Sequence, residues 1–295
     1  MTISTIHLII LGIYFIGSAT AQTNGKGNPV PLTLSPILEM KAEAEDGQVA
    51  EASYRMPPGE GPFPAVICIH GGLNFSNKAR RHNTLTKSIT HNRFLSMGFV
   101  VVQSTFRTYV ENPQDQGPVL DNLAIIQAVR DLKTVDSDSI VVMGGSGGGS
   151  IAMDLISHTS ISAAIAGEPA SIIFSGMLNV NATDQKDRFA SMYDPEKYYT
   201  PEVRELVQKK VRRFQTPLLI VHGDVHEIKN VNMDYVFPEI RKLEKPLTVI
   251  IYPGEEHGFY WGSKPDVETF NSMISDIKAF VLPKLHTQPI PWERI

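Results

Sequence analysis

The chain has 295 residues, a formal net charge of −4 at pH 7 and a single cysteine. Its length suits one large α/β domain, and its acidic balance argues against a nucleic-acid partner. A single cysteine excludes an internal disulfide bond, so the stability of the chain has to come from its core.

The first 21 residues have the pattern of a secretory signal peptide. An apolar run over residues 6–16 precedes the small-x-small sequence Ala19-Thr20-Ala21, and this run is too short to cross a bilayer as a stable helix. We expect cleavage after Ala21 and a secreted or periplasmic protein with no integral membrane segment after cleavage. Residues 22–36 then predict a flexible segment, followed by a single domain over residues 37–295.

The rest of the chain alternates predicted strands with predicted helices. Residues 39–45 and 48–54 flank Asp46-Gly47, which predicts a short antiparallel hairpin. Apolar runs predict buried strands at 63–69, 98–104, 139–143, 162–166, 216–221 and 247–252. Helical patterns cover 83–97, 119–132, 151–156, 231–243 and 267–282, and the polar stretch 171–214 predicts a cap. This alternation predicts an α/β fold, with a mostly parallel central sheet that has helices on both faces.

A nucleophile elbow is predicted where the strand at 139–143 meets the next helix. Ser146 lies between Gly144 and Gly148 in a G-x-S-x-G pattern, and such a turn pushes a serine out at strained backbone angles. The turn also aims the N–H of Gly147 at an oxyanion. A phosphate-binding loop is excluded because no Lys-Ser or Lys-Thr pair follows the glycines.

Together with the sequences at 64–72, 216–224 and 252–259, this elbow resembles the α/β-hydrolase superfamily. Within the superfamily it is most similar to the branch of dienelactone hydrolase and the prolyl oligopeptidase catalytic domain. The resemblance covers about residues 48–283. It implies the α/β-hydrolase fold and a serine hydrolase that needs no metal or organic cofactor.

The base and the oxyanion hole are predicted in two loops that follow strands. His257 comes directly after the last strand, where it can take the proton of Ser146. The His70-Gly71-Gly72 turn ends the strand beside the elbow. The N–H of Gly72 would complete an oxyanion hole with that of Gly147, and His70 is expected to orient the turn.

The acid of the triad departs from the family pattern. Relatives usually carry it three residues after the His-Gly pair that ends the penultimate strand, here 222–223, and that position is His226. A histidine cannot orient the base as an anion does. Asp224 is preferred because it leaves the strand first and its short side chain needs little ordering. Glu227 is the next choice, and Glu168 could reach in from another loop.

His222, Asp224 and His226 alternate as metal ligands can, but the strand is expected to end at Gly223, so no metal site is predicted. The prediction is an exported serine hydrolase that cleaves a small-molecule ester, or the amide bond of a short peptide. The segment before the fold is too short for the propeller of large prolyl oligopeptidases, which favours a carboxylesterase. The rivals are a prolyl-oligopeptidase-type peptidase and a non-catalytic binding protein that kept the fold.

Overall fold

The computed structural model describes residues 35–110, 116–262 and 266–291. The signal peptide predicted over residues 1–21 lies outside these residues, as does the flexible segment predicted over 22–36 apart from its last two positions. Among the described residues, no helix combines the length and the apolar character needed to cross a membrane.

One sheet organises the described part of the chain. Its strands are β1 (Leu38–Glu43), β2 (Val49–Arg55), β3 (Phe63–Ile69), β4 (Val100–Ser104), β5 (Val135–Gly145), β6 (Ala163–Gly167), β7 (Leu218–Gly223) and β8 (Leu247–Tyr252). They lie in the order β1-β2-β4-β3-β5-β6-β7-β8. The hairpin β1–β2 and the pair β2–β4 are antiparallel, and the other neighbours are parallel. The predicted α/β fold, with its mostly parallel sheet and N-terminal hairpin, is confirmed.

Helices connect the strands and cover the sheet. They are α1 (Lys78–Lys87), α2 (Ile89–Ser96), α3 (Gly117–Arg130), α4 (Gly147–Leu155), α5 (Ser171–Phe174), α6 (Gln185–Arg188), α7 (Ala190–Tyr193), α8 (Pro195–Tyr198), α9 (Pro201–Arg212), α10 (Ile228–Val231), α11 (Phe237–Lys242) and α12 (Val267–Val281). A π-helical turn, Asn232–Val236, joins α10 to α11, and 3₁₀ turns lie at Phe259–Trp261 and Leu282–Lys284.

Two of the predicted helices are interrupted. The helix predicted over 83–97 is two helices, because Ser88 has extended backbone angles and its Oγ accepts from His91 N–H at 3.5 Å, as a helix N-cap does. The helix predicted over 231–243 is divided by the π-helical turn, after which Pro238 opens α11. A proline lacks the N–H that a continuous helix would need there.

Both faces of the central strands are buried, which explains the continuous apolar runs in the sequence. Along β3, Ala65 and Ile67 belong to one core cluster, whereas Val66 and Cys68 belong to a second cluster. Successive side chains of a strand point to opposite faces, so the two clusters lie on opposite sides of the sheet. Burial raises the pKa of the Cys68 thiol, as expected for a packed, unreactive cysteine.

The segment 171–214, predicted as a cap, folds into the short helices α5–α8 and the longer α9. It is anchored to α4, since Lys210 Nζ lies 2.8 Å from Asp154 Oδ1 and Phe174 N–H donates to Ser150 Oγ at 3.0 Å. Lys210 Nζ also donates to the carbonyl of Phe174 at 2.8 Å. These contacts fix the segment on the helix that follows the elbow, and its role as a cap stays a prediction.

A buried arginine ties α1 to the hairpin. The Arg81 side chain is 1% exposed, and its Nη2 lies 3.2 Å from Glu39 Oε2 and 3.1 Å from Glu51 Oε2. Its Nε donates to Ser53 Oγ at 3.0 Å and its Nη1 to the Ser76 carbonyl at 2.9 Å. Every part of the guanidinium is therefore paired, as a buried charge requires.

Arg81→Ala should lower the free energy of unfolding by about 3 kcal/mol, because it removes one partner of a buried ion pair. Lys78→Ala is the matched control, since Lys78 lies on the same helix and pairs with the same Glu39 at 3.7 Å but is 58% exposed. It should cost at most about 1 kcal/mol. Urea unfolding followed by circular dichroism measures both, and equal losses would contradict the burial argument.

Candidate active site

Ser146 occupies a strained turn between β5 and α4. Its φ of 53° and ψ of −116° are unusual for a residue with a side chain. Three backbone hydrogen bonds hold it there: its N–H donates to the Gly167 carbonyl at 2.9 Å, and its carbonyl accepts from Ala170 at 2.9 Å and from Ser150 at 3.1 Å. The neighbouring strand and the helix therefore impose the conformation that presents the serine.

The flanking glycines are required by close backbone approach. A Cβ on Gly144 would lie 2.0 Å from the carbonyl oxygen of Gly148. A Cβ on Gly148 would lie 2.3 Å from the carbonyl oxygen of Ile69 and 2.5 Å from that of His70. The predicted G-x-S-x-G pattern thus corresponds to a turn packed against the end of β3, and not to a flexible loop.

The carboxylate nearest to His257 belongs to Glu168, the first residue after β6. Glu168 is fully buried, has a φ of 40° and donates its N–H to the Val221 carbonyl at 2.8 Å. Its Oε2 accepts from Gly258 N–H at 2.9 Å and lies 3.1 Å from His257 Nδ1. The Nδ1–H is not aligned closely enough to count as a hydrogen bond, and such bonds often tighten only when substrate binds.

The preference for Asp224 or Glu227 as the acid is not supported by the geometry. Asp224 Oδ1 accepts from Gly254 N–H at 2.7 Å, so this side chain holds the loop after β8. Glu227 precedes α10 and is exposed. In the described part of the chain, neither carboxylate forms an ion pair with His257. Because Asp224 comes directly after β7, its side chain reaches the loop after β8. Glu168 follows β6, the strand next to the elbow strand β5, and this position brings its carboxylate beside His257.

His226 fills the position where relatives carry the acid. Its ring stacks on that of His257, with centroids 4.6 Å apart and planes at 29°. Its Nδ1 accepts from Ile228 N–H at 3.2 Å, and burial, with a smaller contribution from His257, lowers the pKa of His226. At this position the neutral ring of His226, packed against His257, thus replaces the expected carboxylate.

Uncharged groups enclose the Glu168 carboxylate. His222 Nδ1 lies 3.8 Å from Glu168 Oε1, but burial lowers the pKa of His222, and its Nδ1–H faces the Gly223 carbonyl. Its Nε2 accepts from Asn232 Nδ2 at 2.9 Å, and that amide also donates to the Pro169 carbonyl at 3.0 Å. His222 is therefore neutral, and the closest contacts described for the carboxylate, with Gly258 N–H and His257 Nδ1, come from the loop after β8.

The Tyr260 ring packs against the glycines at the ends of β5 and β6. A Cβ on Gly167 would lie 2.6 Å from its ring, and one on Gly145 would lie 2.2 Å from it. Burial, together with the charge of Glu168, raises the pKa of the Tyr260 phenol well above its usual range. The Tyr260 ring therefore occupies the space that side chains at Gly145 and Gly167 would need.

The turn after β3 lies against the elbow as predicted for an oxyanion hole. A Cβ on Gly147 would be 2.3 Å from the carbonyl oxygen of Gly72, and one on Gly71 would be 3.2 Å from Ser146 Cβ. Gly147 is the first residue of α4, so its N–H has no acceptor within the helix. His70 Nδ1 lies 2.8 Å from the Gly71 carbonyl, consistent with its expected role in orienting the turn.

The alternating triplet His222, Asp224 and His226 does not form a ligand cluster. Among the described residues, no group of three His, Cys, Asp or Glu side chains is placed to hold a metal ion. His222 is turned toward Asn232, and Asp224 toward the loop after β8. The end of β7 at Gly223 breaks the alternation.

Comparison with known proteins gives a family and a fold. A family model described as the prolyl oligopeptidase family, peptidase S9, matches residues 94–285. No curated protein matches the chain by sequence.

Several solved structures are similar at low identity. Carboxyl esterase 2 of the fungus Tuber melanosporum aligns at a TM-score of 0.64 and 18% identity, over 86% of this chain and 89% of its own. A hyperthermophilic esterase from Pyrobaculum calidifontis aligns at a TM-score of 0.60 and 18% identity, over 83% of this chain and 85% of its own. A puromycin-hydrolyzing peptidase from Mycobacterium tuberculosis aligns at a TM-score of 0.63 and 20% identity, over 86% of this chain but only 40% of the peptidase. At these identities the similarity shows the fold.

Glu168→Gln should lower kcat for p-nitrophenyl acetate by up to about 10⁴, because an amide does not hold the base in the required tautomer. Asp224→Asn and Glu227→Gln are the matched controls. Both should change kcat little, since a carboxylate without contact to the base exerts only a screened field. Circular dichroism checks that all three variants fold. If Asp224→Asn lowers kcat strongly and Glu168→Gln does not, the assignment of Glu168 is wrong.

Proposed function

The chain belongs to the prolyl oligopeptidase family and is a serine hydrolase, and we propose that it cleaves a carboxylic ester through an acyl-enzyme on Ser146. His257 acts as the base, Glu168 orients it, and the N–H groups of Gly147 and Gly72 bind the oxyanion. The observation that carries this proposal is the buried Glu168 carboxylate, 3.1 Å from His257 Nδ1, directly after the strand whose last carbonyl holds Ser146 N–H.

The chemistry follows from this arrangement. Ser146 Oγ attacks the ester carbonyl carbon while its proton passes to His257 Nε2, which leaves Nδ1–H facing Glu168. The carbonyl oxygen becomes an oxyanion, and each correctly placed N–H donor is worth about 2.7–4 kcal/mol in that transition state. Collapse expels the alcohol, which takes the proton from His257. Water then attacks the acyl-enzyme with the same base and releases the acid and Ser146.

Glu168 suits the role of orienting group because it is buried. An imidazolium that forms beside a desolvated carboxylate is stabilised more strongly than it would be in water. Glu168 Oε2 faces His257 and accepts from Gly258 N–H, and Oε1 has no hydrogen-bond partner among the described residues. The positive charge that His257 gains during the reaction therefore meets an anion held ready for it.

An ester is favoured over a peptide by the fold comparison. The two esterases align over most of both chains, whereas the alignment with the puromycin-hydrolyzing peptidase covers 40% of that protein. The family match supports the second candidate, a serine peptidase that cleaves after proline. Comparing kcat/KM for p-nitrophenyl acetate with that for a Gly-Pro p-nitroanilide decides between the two, and a higher value for the anilide would favour the peptidase.

Ser146→Ala should lower the hydrolysis of p-nitrophenyl acetate by at least about a thousandfold, because the triad acts as a unit. Ser160→Ala, an exposed serine beyond the end of α4, is the matched control and should keep full activity. Turnover retained in a folded Ser146→Ala variant would rule out an acyl-enzyme on Ser146. A wild-type protein that turns over neither substrate would favour the non-catalytic binding protein.

Export is the second part of the proposal. It rests on the apolar run at 6–16 and the Ala19-Thr20-Ala21 sequence, which lie outside the described residues. Mass analysis of protein recovered from a secreting host should give a mature N-terminus at Gln22. A chain that still begins at Met1 would contradict signal cleavage.

A further inference from the structure

A cavity of about 320 Å³ lies beside the proposed nucleophile. The turn after β3, helices α1 and α2, and the 3₁₀ turn after His257 surround it. Its lining includes Gly71, Arg80, Lys87, His91, Gln103 and Trp261. None of the residues proposed to carry out the reaction lines it, so the cavity is a separate feature next to the site.

Two lining residues connect the cavity to the elbow. A Cβ on Gly71 would lie 3.2 Å from Ser146 Cβ, and a Cβ on Gly145 would lie 2.6 Å from Trp261 Nε1. The walls of the cavity therefore contact the elbow on the side of the β3 turn and of the loop that carries His257. A substrate whose carbonyl carbon is at Ser146 would lie next to the cavity.

The lining of the cavity has a positive charge without a counter-ion. It includes Arg80 and Lys87 but no aspartate or glutamate. Both cations are exposed, and within the described residues neither forms an ion pair. The charge of Arg80 contributes to lowering the pKa of His70 to about 4, although burial is the larger cause. Arg80 thus lies close enough to act on groups inside the cavity.

The floor of the cavity is neutral and internally hydrogen-bonded. Gln103 Nε2 donates to the carbonyls of Cys68 and Ser104, so its Oε1 accepts from His91 Nε2–H at 2.7 Å. His91 Nδ1 then accepts from Ser88 Oγ at 2.7 Å. Burial lowers the pKa of His91 to about 4, so the ring is neutral at pH 7. This floor offers a ligand neither a charge nor a free donor, so the charges that line the cavity are those of Arg80 and Lys87.

We propose that this cavity binds a carboxylate on the substrate, so that the preferred substrate is a half-ester of a dicarboxylic acid. The inference rests on the proposed ester hydrolysis and deepens it. A guanidinium binds a carboxylate through two parallel N–H···O bonds, and a nearby ammonium adds a second point charge. The indole of Trp261 forms an apolar wall for the methylene chain between the ester and the free acid.

The test compares mono-4-nitrophenyl adipate with methyl 4-nitrophenyl adipate, two 4-nitrophenyl esters whose acyl chains end in a free carboxylate and in a neutral methyl ester. The wild-type protein should show about a tenfold higher kcat/KM for the anionic ester, as expected for two partly exposed charge contacts. The difference should appear mainly in KM, because the carboxylate is remote from the reacting carbonyl. It should shrink in 0.5 M KCl, which screens exposed charges.

In the Arg80→Gln/Lys87→Gln double variant the ratio of the two kcat/KM values should fall to about one. Lys78→Gln removes a charge from the same helix outside the cavity and should keep the wild-type ratio. A wild-type ratio near one, or a ratio that survives in the double variant, would overturn the inference. If neither ester is hydrolysed by the wild-type protein, the proposed function itself fails, and the two failures are thereby distinguished.

Discussion

The hydrogen bond from Ser146 N–H to the Gly167 carbonyl, 2.9 Å long, joins the end of the elbow strand to the end of its neighbour β6. It extends the parallel β5–β6 ladder by one step beyond Gly145 and Gly167. Because Glu168 follows Gly167, the bond that stabilises the strained serine also fixes where the carboxylate begins. Ser146 and the buried Glu168 carboxylate are thus positioned by one strand pair.

The loop after β8, which carries His257, depends on the Glu168 carboxylate. Glu168 has no exposed surface, and a buried charge costs several kcal/mol unless it is paired and hydrogen-bonded. Its clearest partners, Gly258 N–H and His257, both come from the loop after β8. Docking of that loop therefore compensates the buried charge and at the same time places the imidazole beside Glu168. The contact between Glu168 and this loop therefore both stabilises the fold and positions His257.

Much of the fold could be predicted because both faces of the central strands are buried, which makes strands such as 63–69 and 139–143 stand out as apolar runs. The elbow could be predicted because close backbone approach at Gly144 and Gly148 admits only glycine. The break at Ser88 was missed, since a serine is tolerated within a helix and also favoured as a cap. The sequence did not single out Glu168 as the carboxylate beside His257, because it does not show which strand ends face each other. Glu168, a lone carboxylate directly after a buried strand, was the available signal.

Labelling with a fluorophosphonate probe distinguishes a Ser146 nucleophile activated by His257 from any other arrangement. We expect one phosphonyl adduct per chain, located by peptide mass mapping on the peptide that contains Ser146. Labelling of His257→Gln should be slowed by orders of magnitude, because the serine then lacks its base. An adduct on another residue, or a folded wild-type protein that is not labelled, would contradict this role of Ser146.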